Sequence, residues 1–341
     1  MAEENRTAVR RLVQSVVIAQ GNIFIRDLLR RMKIPMGVRK EQFEANLLQA
    51  VDAGQIGIDD VTKWLEEVEG WGEQSVYLYN VPKTIADDPL WKSVESVKRT
   101  LSPGHRELWN AKSLEFPDTW KLTGISYDDR SLRYIWHRRL ETLVRRPDKD
   151  RREEIDGETY EFKAYLVRDD RSVLRFVLQL EKRLAAVFMQ IPAVGNAHAD
   201  ALNMVRDATK QLVNWGVLKT FGASNVIKNL DQAALHDAVG AKVKSKKTRL
   251  SHASNYVEFA NTSEKGSYSQ SAPVRSVRLA VKPGNFAGST GIFLYTARTH
   301  TSAERLVTFE IFGEESRILL RAQLKAEEVW DILDLLRNYE Q

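Results

Sequence analysis

The chain has 341 residues, of which 43% are hydrophobic, so it is long enough for two domains and apolar enough to bury a sizeable core. It contains no cysteine, which removes disulfides, thiolate catalysis and every cysteine-based zinc or iron–sulfur site and suits a reducing compartment. Its formal net charge of +5 conceals a sharp segregation: Arg6 to Lys40 holds nine basic residues and one acid, Asp27, whereas Glu41 to Glu73 holds nine acids and one base, Lys63.

In chain order, Val9, Leu12, Val13, Val16 and Val17 follow the i, i+3, i+4, i+7 spacing of an amphipathic helix. Ile25, Leu28, Leu29 and Met32 repeat it, as do Val61, Trp64, Leu65 and Val68, with breaks at Gly21-Asn22, Pro35-Met36-Gly37 and Gly54 to Gly57. After Gly72, Val76-Tyr77-Leu78-Tyr79 reads as a first strand. Ser131 to Arg146 reads as a helix, with Leu132, Ile135, Trp136, Leu140, Leu143 and Val144 on one side. Tyr160 to Val167 and Val173 to Leu180 read as strands separated by Asp169-Asp170, and Asn225 to Val239 returns to helix. Val274 to Val281, Ile292 to Arg298, Arg305 to Phe312 and Arg317 to Gln323 are strand candidates, followed by a helix with Val329, Ile332, Leu333 and Leu336 on one face. Ala241 to Pro273 is polar, rich in Ser and Thr, and too long for an ordinary loop. The expected fold class is α+β: residues 1–73 form a basic helical bundle, and residues 74–341 form a β-rich domain carrying a flexible basic loop at 241–273.

Three basic clusters are candidates for phosphate contact. Arg26, Arg30 and Lys33, spaced four and three apart, form an outer stripe on the second helix; Arg6, Arg10 and Arg11 form another on the first, and Arg39 and Lys40 follow the turn. Arg130, Arg133 and Arg138 open an arginine-rich run, a residue type suited to bidentate phosphate contact. Lys242, Lys244, Lys246, Lys247 and Arg249 lie in a stretch with no acid between Asp237 and Glu258, as a mobile arm would.

The segment Ile25-Arg26-Asp27-Leu28-Leu29-Arg30-Arg31-Met32-Lys33-Ile34-Pro35-Met36-Gly37-Val38-Arg39-Lys40-Glu41-Gln42-Phe43 resembles a SAP motif. It has a helix ending in basic residues, a Pro/Gly turn, a basic residue and a second helix bearing Phe43 and Leu47. The resemblance covers residues 25–54 and implies that the two helices bind duplex DNA. Helices flanking both sides suit a larger bundle of the death-fold type. A basic helical bundle followed by a β-rich domain also resembles the layout of the centromere protein N family, which implies a pyrin-like N-terminal domain and contact with nucleosomal DNA.

Catalytic patterns are mostly lacking: there is no Walker-type loop and no G-x-S-x-G, and the six histidines form no i, i+4 pair. Pro147-Asp148 followed by Glu161-Phe162-Lys163 formally matches the PD…E-x-K arrangement of a nuclease, in which Asp148 and Glu161 would hold Mg²⁺ and Lys163 would assist water. The expectation is a non-enzymatic, cofactor-free protein that binds double-stranded DNA with little sequence specificity inside a larger assembly. The alternatives are the Mg²⁺-dependent nuclease and a protein–protein adaptor whose basic and acidic faces self-associate. Met-Ala-Glu-Glu-Asn lacks the opening of a secretory signal and no apolar run approaches the roughly 20 residues of a membrane helix, so a cytoplasmic, DNA-associated location (nuclear in a eukaryote) is expected, with no membrane partner.

Overall fold

A computed structural model describes residues 2–190, 197–236, 243–263, 266–281, 286–298 and 304–340. Four helices come first: α1 (Ala2–Leu12), α2 (Asn22–Arg31), α3 (Lys40–Asp52) and α4 (Ile58–Val68). Then come β1 (Gln74–Asn80), α5 (Lys83–Ala86), α6 (Val94–Thr100), α7 (Pro103–Glu107), β2 (Lys121–Asp128), β3 (Ser131–Arg145), β4 (Arg151–Ile155), β5 (Glu158–Phe162), β6 (Tyr165–Gln179) and β7 (Leu184–Gln190). The remainder is α8 (Ala197–Thr209), β8 (Lys219–Thr220), α9 (Ala223–Leu235), β9 (Val243–His252), β10 (Asn255–Ala260), α10 (Ala272–Ala280), β11 (Ala287–Arg298), β12 (Glu304–Phe312), β13 (Arg317–Leu320) and α11 (Ala326–Asn338). The fold is α+β, helical at its N-terminus and strand-rich after it. The main sheet has the order β10-β9-β11-β12-β13-β1-β7-β6-β3-β2, with β8 beside β1, and β4 pairs with β5 in a separate ribbon. No helix among the described residues is long and apolar enough to cross a membrane.

The chain forms two compact units, Met1–Glu69 with Lys112–Thr123 and Trp136–Val173, and Gly70–Ala111 with Gly124–Ile135 and Leu174–Gln341. In the first, the apolar stripes read from the sequence meet in one core that includes Leu12, Val16, Leu29, Phe43, Leu47 and Trp64, and Leu114 and Phe116 pack against it. Burial of these side chains is what holds helices this short, because isolated helices of 10–13 residues are marginal in water. Local caps fix their ends. Gln42 Oε1 accepts the Val38 N–H at 2.6 Å at the start of α3, and Asp60 Oδ2 accepts the Gly57 N–H at 2.9 Å at the start of α4.

In the second unit, β1 and β7 are buried on both faces and so read as continuous apolar runs rather than alternating ones. Helices α9 and α11 contribute Val226, Ile227, Leu230, Ile332, Leu333 and Leu336 to that core, where Trp71 meets Phe188 edge-on at 5.2 Å. Gly72 lets the chain pass close to the segment after β13: a β-carbon there would lie 2.3 Å from Gln323 Cα.

Several sequence expectations are corrected. Ser131 to Arg146 is strand β3 and not a helix, since Leu132, Tyr134 and Trp136 are buried in alternation while Leu140, Leu143 and Val144 are exposed. Pairing to neighbours on both sides imposes period 2 on a sequence that also fits period 3.6. Asp169 and Asp170 do not separate two strands but lie within β6. Val274 to Val281 is helical, in α10, with Pro273 in the first turn where its missing N–H costs nothing. The loop expected at 241–273 is ordered into β9, β10 and α10 where it is described; Ala241, Lys242, Glu264 and Lys265 lie outside the described residues, as do Asp237 to Val239 at the end of the predicted helix. The inward side chains of β9 include Ser245 and Thr248, whose hydroxyls donate to buried Asp231 Oδ1 at 3.1 and 2.7 Å, while Arg278 Nε donates to Oδ2 at 2.6 Å. A core built from hydroxyls around one buried carboxylate carries no apolar pattern for a sequence to show.

Candidate nucleic-acid interface

Helix α2 buries Phe24, Ile25, Leu28 and Leu29, which turns Arg26 and Arg30 to the opposite, exposed face. The helix ends in a Schellman turn: the Ile34 N–H donates to Leu29 O at 2.9 Å and the Lys33 N–H to Arg30 O at 3.2 Å. Lys33 occupies the left-handed position of that turn, φ 55°, where glycine is the usual residue. A lysine there accepts strain of about 1 kcal/mol and keeps a cation. Arg39 then precedes α3 in extended conformation, also exposed. The Arg26 guanidinium lies 5.7 Å from the Phe43 ring centre, so the two helices of the SAP-like segment are also joined through the cationic surface.

The acids downstream of Glu41 are largely committed elsewhere. Asp52 pairs with Arg10; Glu67 pairs with Arg31 at 2.8 Å, Asp59 with Lys112 at 2.6 Å and Glu44 with Arg168 at 2.9 Å. Arg6, Arg26, Arg30, Lys33 and Arg39 make no ion pair among the described residues. Arg10 is therefore spent on Asp52, and Arg11 on Asp169 at 3.2 Å and on the Phe116 ring. Lys40 is half-buried and donates to Ile18 O at 2.9 Å; burial, with Arg168 nearby, lowers its pKa.

The arginines after Arg130 are not one helix face. Arg130 and Arg133 belong to the second unit, where they pair with Glu181 at 3.4 Å and Asp128 at 3.1 Å. Arg138, in the first unit, stacks over Trp120 at 5.0 Å. Of the lysine run, Lys247 and Arg249 share Glu258 at 3.0 and 2.7 Å, while Lys244 and Lys246 are half-buried on β9 without an ion pair among the described residues. Lys242 lies outside the described residues.

Asp148, Glu161 and Lys163 lie at three separate places around the β4–β5 ribbon. Asp148 sits in a turn before β4 and pairs with Arg146 at 3.4 Å, and Glu161 lies on β5 opposite Arg152; Lys163 is exposed just beyond it. Among the described residues no group of three His, Asp or Glu could hold a metal ion.

Sequence reasoning missed a buried ionic array in the first unit. Arg171 donates to both oxygens of Glu69 at 2.9 and 2.8 Å and to Ser113 O, and His137 lies 3.8 Å from Glu69 while its Nδ1 meets Thr123 Oγ1 at 2.6 Å. Burial opposes ionisation of Glu69, but the Arg171 charge and the hydrogen bonds outweigh it and pull the carboxyl down to about 2. Asp170, beside Arg171 in the chain, accepts only that residue's backbone N–H, at 2.7 Å; burial, with Glu69 nearby, outweighs it and pushes the carboxyl up to about 7. These groups are scattered between residues 69 and 171, so no local spacing announces them.

A cleft of about 450 Å³ in the same unit is lined by Lys40, Glu41, Glu44, Arg145, Arg146 and Arg168, among others. Its arginines are already neutralised: Arg145 by Asp150, Arg146 by Asp148 and Arg168 by Glu44. No protein-family model matches the chain, and no curated protein matches its sequence.

Proposed function

We propose that this protein is a non-enzymatic DNA-binding protein that contacts the phosphate backbone of duplex DNA through α2 and the turn into α3, with little sequence specificity. The observation that carries the reading is that Arg26, Arg30, Lys33 and Arg39 make no ion pair among the described residues, while Asp52, Glu67 and Glu44 pair with other cations. Unpaired exposed cations neutralise phosphates without first losing an internal partner. The SAP-like order of α2, turn and α3 supports the same reading, and contact with the phosphate backbone gives affinity without sequence preference.

Titration of labelled duplex DNA at several salt concentrations tests it. Neutralising four phosphates predicts that log affinity falls against log salt with a slope of about −3.6 in monovalent salt, and that adding Mg²⁺ brings no cleavage of the duplex. A slope near zero, or no binding at low salt, refutes it.

A role within an assembly is favoured by one feature, the ribbon β4–β5. Its register places Ile155, Tyr160 and Phe162 on one side of the ribbon, and all three are exposed. An isolated two-stranded ribbon is marginal in water, so a protein partner covering that side would stabilise it. Light scattering of the full chain across concentration, alone and with a copy carrying Tyr160→Ser and Phe162→Ser, would detect self-association through it.

A further inference from the structure

A second cationic site lies in the other unit, among residues that no sequence motif singled out. Arg183, Lys219 and Arg337 line one cleft of about 300 Å³ together with Asn80, Pro82 and Glu340. They arrive from three elements: the turn between β6 and β7, strand β8, and the last turn of α11. None of the three makes an ion pair among the described residues. The one acid in the lining, Glu340, is held by neutral amides: its Oε1 accepts from Asn80 Nδ2 at 2.5 Å and from the Gly222 N–H at 2.7 Å. This is the opposite of the 450 Å³ cleft in the first unit, where each arginine has its own carboxylate.

The backbone holds the three positions firmly. Lys219 is paired with Asn80 across the β1–β8 ladder. Arg183 closes its turn at φ 48°, with its N–H donating to Leu180 O at 3.1 Å and its carbonyl accepting from the Val81 N–H at 2.9 Å. Glycine would sit at that φ with least strain, so an arginine there has to be explained by its side chain. Three cations lining a cleft against a single carboxylate, Glu340, raise one another's energy until an anion enters.

We infer that this cleft binds a compact dianion, a phosphate monoester. Three cations and the Glu340 carboxylate leave a formal charge of +2 in the lining (3 − 1), which matches the roughly −1.5 to −2 charge of a phosphate monoester at neutral pH. A concave site of this size is at the small end of ligand pockets, room for one phosphate and a small organic body. Backbone diesters, each of single charge on an extended chain, match it less well. The monoester comes either from a small phosphorylated metabolite or from the 5′-phosphate end of a nucleic-acid strand, and both present the same group to the arginines.

Calorimetric titration of the full chain with inorganic phosphate, ribose 5-phosphate, and one oligonucleotide with and without a 5′-phosphate tests the assignment. Saturable phosphate binding is expected, weakened at least about tenfold by Arg337→Gln or Lys219→Gln, the scale of losing one charge-assisted hydrogen bond. Lys219→Arg should retain it. Arg183→Gly should lose affinity by at least about tenfold while melting at the same temperature or higher, because the substitution relieves the turn. Ribose 5-phosphate tighter than inorganic phosphate identifies the small-molecule source, and a gain specific to the 5′-phosphorylated oligonucleotide identifies the strand end. No saturable phosphate binding at millimolar concentration, or binding unchanged in Arg337→Gln and in Arg183→Gly, overturns the proposal. Arg30→Gln is expected to leave phosphate binding intact, which separates this site from the α2 surface.

Discussion

Arg31 apart, the basic residues of α2 and of the segment leading into α3 resemble those of the β3–β6 strands in type, yet they meet different electrostatic fates. Arg139 has Asp118 at 3.0 Å, Arg145 has Asp150, Arg168 has Glu44 and Arg171 has Glu69, whereas Arg30, Lys33 and Arg39 have no carboxylate partner among the described residues. A paired arginine inside a fold is a structural part whose removal strands its carboxylate; an unpaired one at the surface costs the fold little and remains available to a ligand. A count of positive charges from sequence therefore overstates the binding surface wherever strands bring acids alongside.

The sharpest way to break this contrast is at the buried pair. Arg171→Met should destabilise the chain by about 3–5 kcal/mol in urea unfolding, because Glu69 would be left buried without its partner. A loss below about 1 kcal/mol would mean that the paired arginines are no more structural than the exposed ones.

Next in size is a pH effect on the same array. Asp170 keeps its proton to about 7 in the folded chain, against an ordinary value of 3.8. Between those values the folded state holds a proton that the unfolded state has released, so this group makes stability fall as pH rises from about 4 to 7 and adds no slope above that, by at most about 4 kcal/mol. Glu69 acts in the opposite sense: its carboxyl, held down to about 2, contributes stability that is present above 4.5 and lost as pH falls toward 2. Urea midpoints of Asp170→Asn measured from pH 4 to 8 should lack the fall between about pH 4 and 7 that is expected of the parent chain.

Smaller still, and aimed at the binding side, Arg30→Gln should lower duplex affinity about fivefold to tenfold at low salt and reduce the salt slope by about 0.9, with stability changed by less than about 0.5 kcal/mol. Arg133→Gln, which removes a partner of Asp128, should leave both affinity and slope unchanged. Equal effects of the two would erase the distinction between paired and unpaired cations. The smallest expected effect has two signs in one variant: Lys33→Gly should stabilise the chain by about 0.5–1 kcal/mol by relieving the left-handed residue while weakening DNA binding.

The helical bundle was legible because its stripes are local. Phe43, Leu47, Trp64 and Leu65 lie three and four residues from their partners, and caps such as Gln42 and Asp60 are read within a single turn. The α+β class followed from the same kind of signal, as did the cationic stripe of α2, because a helix assigns its outer face once its inner one is known. The candidate site was only half legible. Nothing in the order of residues says that Arg10 meets Asp52, that Lys40 turns inward to Ile18 O, or that Arg183, Lys219 and Arg337 share a cleft. Strand β3 was misread because a strand paired on both sides takes its period from its neighbours, and β9 because its core-facing Ser245 and Thr248 are satisfied by an aspartate of helix α9. Sequence determined what depends on neighbours within one turn of helix; the tertiary structure decided which charges were paired and which were left, since pairs such as Arg10–Asp52 and Arg168–Glu44 join residues 42 and 124 positions apart.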